Sequence, residues 1–205
     1  MDTIRYDKSE IEKVVSVLKD GLVVAFPTDT VFGLGVIYDD ENALKRLKEA
    51  KGRDENKPIP TMVASIEQIE KIAEVSDVAK RLIKAFMPGA FTIILNKKDN
   101  VPEYATNGFS TIGIRMPKDE FVLSLINACG KAMLVTSANI SGEASTSNDH
   151  DALKQLDGRI DGIVLGNSGG DQASTIVDAT DATIKIIRTG AISKEMIESV
   201  VQGGQ

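Results

Sequence analysis

The sequence predicts an α/β (α+β) protein built on a mixed parallel and antiparallel sheet, and three observations lead there. Short β-rich runs alternate with helical patterns along most of the 205 residues. Several neighbouring strand runs have no room for a crossover helix between them, which a purely parallel sheet would require. No internal repeat, low-complexity tract or linker interrupts the chain, so a single domain spanning 1–205 is expected.

Ser9 followed by Glu12 reads as a capping box, and Ile11, Val14, Val15 and Leu18 then fall at helical spacing up to a stop at Gly21. LVVAF (22–26) and GLGVI (33–37) read as strands joined by the loop PTDTVF. Asp40 caps a helix through ENALKRLKEAK that Gly52 ends. PTMVAS is a strand, Ser65 with Gln68 caps a short helix, and Ser76 opens another with Ala79, Leu82, Ile83 and Phe86 on one side. MPG breaks the chain before the buried-strand composition FTIIL (91–95). TIGIRMP, a helix from Glu120 to Ala128 and AMLVT (132–136) repeat the strand–helix–strand alternation. After the polar loop TSANISGEASTS come a helix near Asp149–Leu156, the strand runs GIVLG, STIVDA and TIKIIR, a helix from Ser193 to Val201 and a Gly-rich tail expected to fray.

Composition sets limits. An apolar fraction of 42% and a charged fraction of 26% are those of a soluble globular protein. No apolar run approaches a membrane span, MDTIRYDKSE lacks the apolar stretch of a signal peptide, and the one cysteine, Cys129, allows no internal disulfide; a cytoplasmic protein without membrane contact is expected. One histidine, His150, with one cysteine leaves no zinc-type ligand set. The net charge of −6 argues against nonspecific coating of nucleic acid. That charge is uneven: residues 1–140 hold 19 Lys/Arg against 20 Asp/Glu, and residues 141–205 hold 5 against 10.

Within this acidic chain, KGRDENKPIP places Lys51, Arg53 and Lys57 on a stretch stiffened by Pro58 and Pro60. Lys45, Arg46 and Lys48 read as a solvated helix face, which does not account for the glycine and prolines around the later three. Arg115 and Arg188 each end an apolar strand run, so each side chain is expected on a rigid backbone near a sheet end. The remaining polar candidates are Thr28-Asp29-Thr30 after LVVAF, and Ser137, Asn139, Ser141, Ser145 and Ser147 after AMLVT. Several cations from separate loops suit an anion of several charges, because Arg grips phosphate with a planar fork and Lys adds a mobile point charge. No G-x-x-x-x-G-K-S/T exists, Gly33-Leu34-Gly35 is only G-x-G, and no G-x-S-x-G accompanies the serines. Cys129 reads as core, His150 as an exposed residue near a helix start, and Asp40 as a helix cap in preference to a metal ligand. The residues alone therefore describe a mixed α/β protein with a polyanion-binding cleft, and no reaction.

Taken in order, the same stretches resemble the YrdC family of threonylcarbamoyl-AMP synthases. FPTDTVFGLG is similar to the family's P-T-D/E-T-x-Y/F-G-L, KGRDENKP to K-x-R-x-x-x-K-P, and MPGAFTIIL to W-P-G-P-x-T-x-x-L. IGIRMP is similar to V-x-V/I-R-x-P, TSANISGEAS to S-A-N-x-S-G, STIVD to S-T-I/V-I/V-D, and IIRTGAI to I/L-x-R-x-G. Seven blocks run in family order from Pro27 to Ile192. The chain resembles the family's short, single-domain form. Phe32, Met87, Ala90 and Thr189 depart from the usual Tyr, Trp, Pro and Pro, and none removes a charged candidate.

The resemblance implies a twisted open sheet with a concave basic cavity, and a nucleotidyltransferase that condenses L-threonine, bicarbonate and ATP to threonylcarbamoyl-AMP and pyrophosphate. Lys51, Arg53, Lys57 and Arg188 would hold the triphosphate, with Thr111, Asn139 and Ser147 also on the nucleotide side. Arg115 would clamp the threonine carboxylate, with Thr30, Ser137 and Ser174 beside it; Lys51, Arg53 and Arg115 would be the catalytic set. Mg2+ would arrive with ATP, with no protein side chain assigned to it. The product would pass to a tRNA threonylcarbamoyl-transferase complex for adenosine modification, and direct tRNA or double-stranded RNA contact is an open expectation. Two alternatives remain: an RNA-binding module, disfavoured by the negative charge and absent aromatic interleaving, and a diverged nucleotide-binding relative with another activity. The Ser141–Asp149 loop is a candidate lid.

Overall fold

The computed structural model describes residues 2–54, 57–170 and 172–203. Glu55 and Asn56 of the cationic stretch, and the last two residues of the Gly-rich tail, lie outside them. Among the described residues ten strands form one sheet: β1 (Ile4–Tyr6), β2 (Val24–Phe26), β3 (Gly33–Ile37), β4 (Thr61–Met62), β5 (Phe91–Asn96), β6 (Thr111–Arg115), β7 (Met133–Ser137), β8 (Gly162–Val164), β9 (Thr175–Asp178) and β10 (Lys185–Arg188). Their order is β1-β8-β2-β3-β7-β4-β6-β5-β9-β10, with parallel and antiparallel pairs intermixed as expected.

Among the described residues seven α-helices flank the sheet: α1 (Ile11–Lys19), α2 (Glu41–Lys51), α3 (Ile66–Ile72), α4 (Asp77–Phe86), α5 (Glu120–Cys129), α6 (Asp149–Leu156) and α7 (Lys194–Gln202). Asp40, Ser65, Ser76 and Ser193 cap α2, α3, α4 and α7 through their side-chain oxygens, and Gly52 ends α2 at φ 60°. One expected cap is corrected. The capping box belongs to Asp7 and Glu10, whose carboxylates accept from Ser9 N and Asp7 N at 2.9 Å, and it opens a 3-10 turn ahead of α1. Strand β1 was not anticipated, since three residues with two exposed carry too little pattern; its parallel pairing with β8 creates it.

The two halves of the sheet are covered differently, and this positions the site. Around β1, β8, β2, β3 and β7, helices α1 and α5 pack on one face through Val14, Leu18, Val122, Leu125 and Ile126 against Phe26, Met133 and Val135. The opposite face, continuous across the sheet, buries the larger core against α2, α3, α4, α6 and α7. In β5, β6 and β9 strand periodicity sends Phe91, Ile93, Leu95, Ile112, Ile114 and Val177 into that core. Thr92, Ile94, Thr111, Gly113, Arg115, Ser174 and Ile176 therefore look the other way, into a cleft whose described lining comes from strands and loops. Gly33 and Gly35 face Phe26 across the β2–β3 ladder, and a Cβ on Gly35 would come within 2.9 Å of its ring. This G-x-G is a bed for an aromatic ring.

Candidate functional site

Arg115 ends β6 and is only 6% exposed. Its Nη2 donates to Asp29 Oδ1 at 2.6 Å, Nη1 to Thr30 Oγ1 at 2.8 Å, and Nε to the Gly89 carbonyl at 3.3 Å. A guanidinium carries five N–H groups, so these bonds leave one on each terminal nitrogen, enough for a bidentate carboxylate. The loop that brings Asp29 and Thr30 here is tied to itself and to a neighbour. Thr28 Oγ1 donates to the Val31 carbonyl at 2.7 Å, and the N–H groups of Gly169 and Gly170 donate to the carbonyls of Thr28 and Thr30 at 2.8 and 3.1 Å.

Across the cleft, Arg188 at the end of β10 donates from Nε and Nη2 to the Ser174 carbonyl at 3.1 and 2.8 Å, and the Ser174 hydroxyl shares a 2.8 Å hydrogen bond with Thr92. Burial, and then the charge of Arg115, lower the Arg188 guanidinium from its ordinary value, though Arg stays charged at physiological pH. Arg53 curls its own loop back, Nε to the Lys57 carbonyl at 3.3 Å and Nη2 to the Pro58 carbonyl at 3.0 Å. Burial lowers Arg53 in the same direction, and Asp54 opposes it.

These groups line three adjoining spaces. A central cavity of about 330 Å3 has Thr30, Arg53, Arg115, Ser137, Ser145, Ser174 and Arg188 in its wall, with Phe32, Met62 and Val135 among its apolar lining. A recess of about 420 Å3 shares Arg53 and Ser137 with it and adds Lys51, Lys57, Asn139 and Ser141. On the other side, an apolar groove of about 280 Å3 shares Pro58, Pro60, Thr92 and Ile176 and adds Ile94, Phe109, Thr111 and Gly113. Arg53 and Ser137 are thus the joint between a polar cavity and a cationic recess.

Ten of the eleven residues expected from the sequence line one of these spaces, and Ser147 does not. It is exposed, and its carbonyl accepts from Ser168 N at 2.7 Å, while Ser145 faces the cavity. Lys51 is not on the loop: it is the last residue of α2 and 2% exposed. Its Nζ donates to the carbonyls of Ser137 and Asn139 at 2.6 and 2.7 Å and to Asn139 Oδ1 at 3.1 Å. Asn139 spends its amide N–H groups on the carbonyls of Ile140 and Glu143. The 141–145 loop is exposed, but Thr146 anchors its end, with Phe32 N donating to the Thr146 carbonyl at 2.8 Å. Asp29 and Ser145 are polar candidates in the sequence without a role there, and Phe109 and Gly113 carry no signal in it. The return of the 27–32 loop onto Arg115 gives Asp29 its place, the anchoring of Thr146 by Phe32 N gives Ser145 its own, and the pairing of β6 with β5 brings in Gly113. Phe32 is fully buried and borders the central cavity. His150 is exposed on the first turn of α6, and Cys129 is buried, which raises its thiol pKa.

The sequence profile of the Sua5/YciO/YrdC family, described as telomere recombination, matches residues 16–190. The chain is 38% identical over 202 residues to a threonylcarbamoyl-AMP synthase of Pyrococcus abyssi, covering 96% of this chain and 58% of the relative. It is 38% identical over 203 residues to the Bacillus subtilis threonylcarbamoyl-AMP synthase, covering 98% and 59%. The chain thus spans somewhat under two-thirds of the length of these relatives. The structure superposes on P. abyssi Sua5 complexed with L-threonine at a TM-score of 0.90, with 37% identity, over 97% of this chain and 60% of the other. Against Escherichia coli YciO the TM-score is 0.84 at 28% identity, over 96% and 98%.

Proposed function

The chain belongs to the Sua5/YciO/YrdC family, and from that premise we propose that it is an L-threonylcarbamoyladenylate synthase. The observation that carries this reading is the junction at Arg53 and Ser137, where a cavity built around a carboxylate-sized donor pair on Arg115 meets a recess lined by Arg53 and Lys57. In this reading threonine lies in the central cavity with its carboxylate on Arg115 and its side chain toward Met62 and Val135, and Thr30, Ser137 and Ser174 supply hydroxyls around it. The nucleotide's phosphates lie across Arg53, Lys57 and Arg188, and its base lies in the groove of Phe109, Gly113 and Ile176.

The chemistry follows from that arrangement. The neutral threonine amine adds to the carbon of CO2 with loss of one proton, or to that of bicarbonate with loss of water, and a carbamate anion results either way. A carbamate oxygen then attacks the α-phosphorus, and the bond to the bridging oxygen breaks so that pyrophosphate leaves with the electron pair. An anion attacking a polyanion needs alignment and neutralisation of charge, which fixed cations provide; one well-placed donor of this kind is worth about 3 kcal/mol in the transition state. No protein nucleophile is required. Among the described residues no group of three or more His, Cys, Asp or Glu gathers. Mg2+ would come with ATP, held mainly by the phosphates, and would supply charge neutralisation for the leaving pyrophosphate.

The product would serve a tRNA threonylcarbamoyl-transferase complex. A cytoplasmic setting suits the free, buried Cys129, and among the described residues no helix is long and apolar enough to cross a membrane. The test is pyrophosphate release from ATP, Mg2+ and bicarbonate, with and without L-threonine, with L-serine as comparison and Arg115→Ala as control. Release that requires both threonine and bicarbonate and is lost in the variant supports the reading. Release indifferent to threonine in a folded protein overturns it.

A further inference from the structure

Lys51 has the environment of a structural cation. Its Nζ is ringed by the Ser137 carbonyl (2.6 Å), the Asn139 carbonyl (2.7 Å), Asn139 Oδ1 (3.1 Å) and the Ser137 hydroxyl (3.4 Å). An ammonium has three N–H groups, so the three shorter contacts exhaust it and leave no donor for a ligand. The same segment is closed from its other end, because Ser141 N donates to the Lys51 carbonyl at 2.8 Å. Asn139 extends the closure to Glu143, whose carbonyl accepts from Nδ2 at 3.0 Å. Lys51 thus meets the loop through both its side chain and its backbone.

Without the ammonium, two backbone carbonyls and an amide oxygen would point at one another in a buried space. Such oxygens repel, and the Asn139 carbonyl and Oδ1 would lose the ammonium's N–H groups away from water, while the Ser137 carbonyl would keep only the Asn139 N–H at 3.0 Å. The loop would have to turn them outward, carrying Ser137 out of the wall shared by the central cavity and the cationic recess.

We propose that Lys51 is a positioning residue whose ammonium, held by the oxygens of Ser137 and Asn139, sets the shape of the 137–143 loop and through it the seat of Ser137. It acts on the substrates through that loop, while Arg53 and Lys57 face the recess. The kinetic part rests on the synthase reading; the structural part does not. The buried ammonium is pushed down from its ordinary 10.5 to about 8 by burial first and by Arg53 second, in keeping with a charge shut away from water. The other charged groups lining the recess are Asp54 and Lys57.

The experiment is peptide-resolved amide hydrogen exchange on the ligand-free full chain at one pH, comparing the unmodified protein with Lys51→Met, Asn139→Ala and Lys57→Met. The expected result is roughly tenfold or faster exchange over residues 137–145 in Lys51→Met and in Asn139→Ala, with that segment unchanged in Lys57→Met, the loss of a charge-assisted hydrogen bond being worth about that factor. Asn139→Ala carries the test if Lys51→Met fails to fold. In turnover assays, Lys51→Met should raise KM for threonine and for ATP together and lower kcat. Unchanged protection of 137–145 in a folded Lys51→Met, or a rise confined to KM for ATP, overturns the proposal. Hydrogen exchange needs no substrate, so it reads the loop even if threonine-dependent pyrophosphate release fails.

Discussion

Asp29 Oδ1 and Arg115 Nη2 lie 2.6 Å apart, and their side chains are 11% and 8% exposed. A charge pair this far from water is held more by the cost of separating it than by the worth of forming it. Asp29→Ala would leave Arg115 charged and unbalanced, and the expected loss is about 3 kcal/mol of stability, or a fall of about 10 °C in Tm. Asp29→Asn keeps an oxygen on Nη2 and should lose less. Calorimetry on the two variants checks this, and an unchanged Tm in Asp29→Ala would sink the claim that the pair is structural.

Lys51 gives the protein a pH dependence in which activity and this group's stability contribution move in opposite directions. Its folded pKa of about 8 lies below the ordinary 10.5, so between these values the unfolded chain holds a proton that the native chain does not. Stability from this group therefore rises with pH across that window, and its full burial cost applies below it. Activity should instead fall as pH passes about 8, because a neutral amine has fewer donors for the 137–143 loop. A pH–rate profile beside urea titrations over the same range reads both. Activity still climbing well above that pH would contradict the assignment.

Gly190 sits where no side chain fits. A Cβ there would meet the Ala173 carbonyl oxygen and lie 2.7 Å from Ser174 C and 2.8 Å from Thr175 N, all of them backbone. Its N–H donates to Thr175 Oγ1 at 2.8 Å, and that hydroxyl donates to the Ile192 carbonyl at 2.7 Å, so the start of β9, next to Ser174, and the segment after Arg188 are sewn together. Gly190→Ala should cost about 3 kcal/mol and disturb Arg188 as well. Gly52→Ala, at φ 60° with open space around it, is the comparison and should cost about 1 kcal/mol. Chemical denaturation ranks the two, and equal losses would refute the packing argument.

Gly113 leaves the floor of the apolar groove open, since a Cβ added there would approach nothing nearer than Thr92 Cγ2 at 3.9 Å. Gly113→Leu should keep the fold, fill the groove and weaken ATP binding at least about tenfold, the effect of losing an apolar base contact. Threonine binding, measured without nucleotide by calorimetry, should change little. ATP binding unaltered in that variant would move the base elsewhere.

Most elements were legible in the sequence because the residues that start, stop and pattern them do local work there. Asp40, Ser65 and Ser76 cap helices within three residues of themselves, Gly52 ends one, and the alternation T-I-G-I-R already divides β6 into a core face and an open face. The sequence by itself therefore determined the order and kind of most elements, the family resemblance and the loops that carry the polar candidates. What it could not show were relations set by distance along the chain. Whether Lys51 faces water or four oxygens depends on a segment 86 to 88 residues away. The counter-charge of Arg115 comes from 86 residues earlier. That Ser145 rather than Ser147 meets the cavity depends on how Thr146 and Ser147 are pinned to Phe32 and Ser168. Helix caps and strand periodicity are written in neighbouring residues, whereas burial, charge pairing and the uncovered face of β5, β6 and β9 exist only once the sheet has brought distant strands side by side. The reason is physical: the first are short-range backbone preferences, and the second are desolvation and electrostatic effects, whose sign is set by tertiary neighbours.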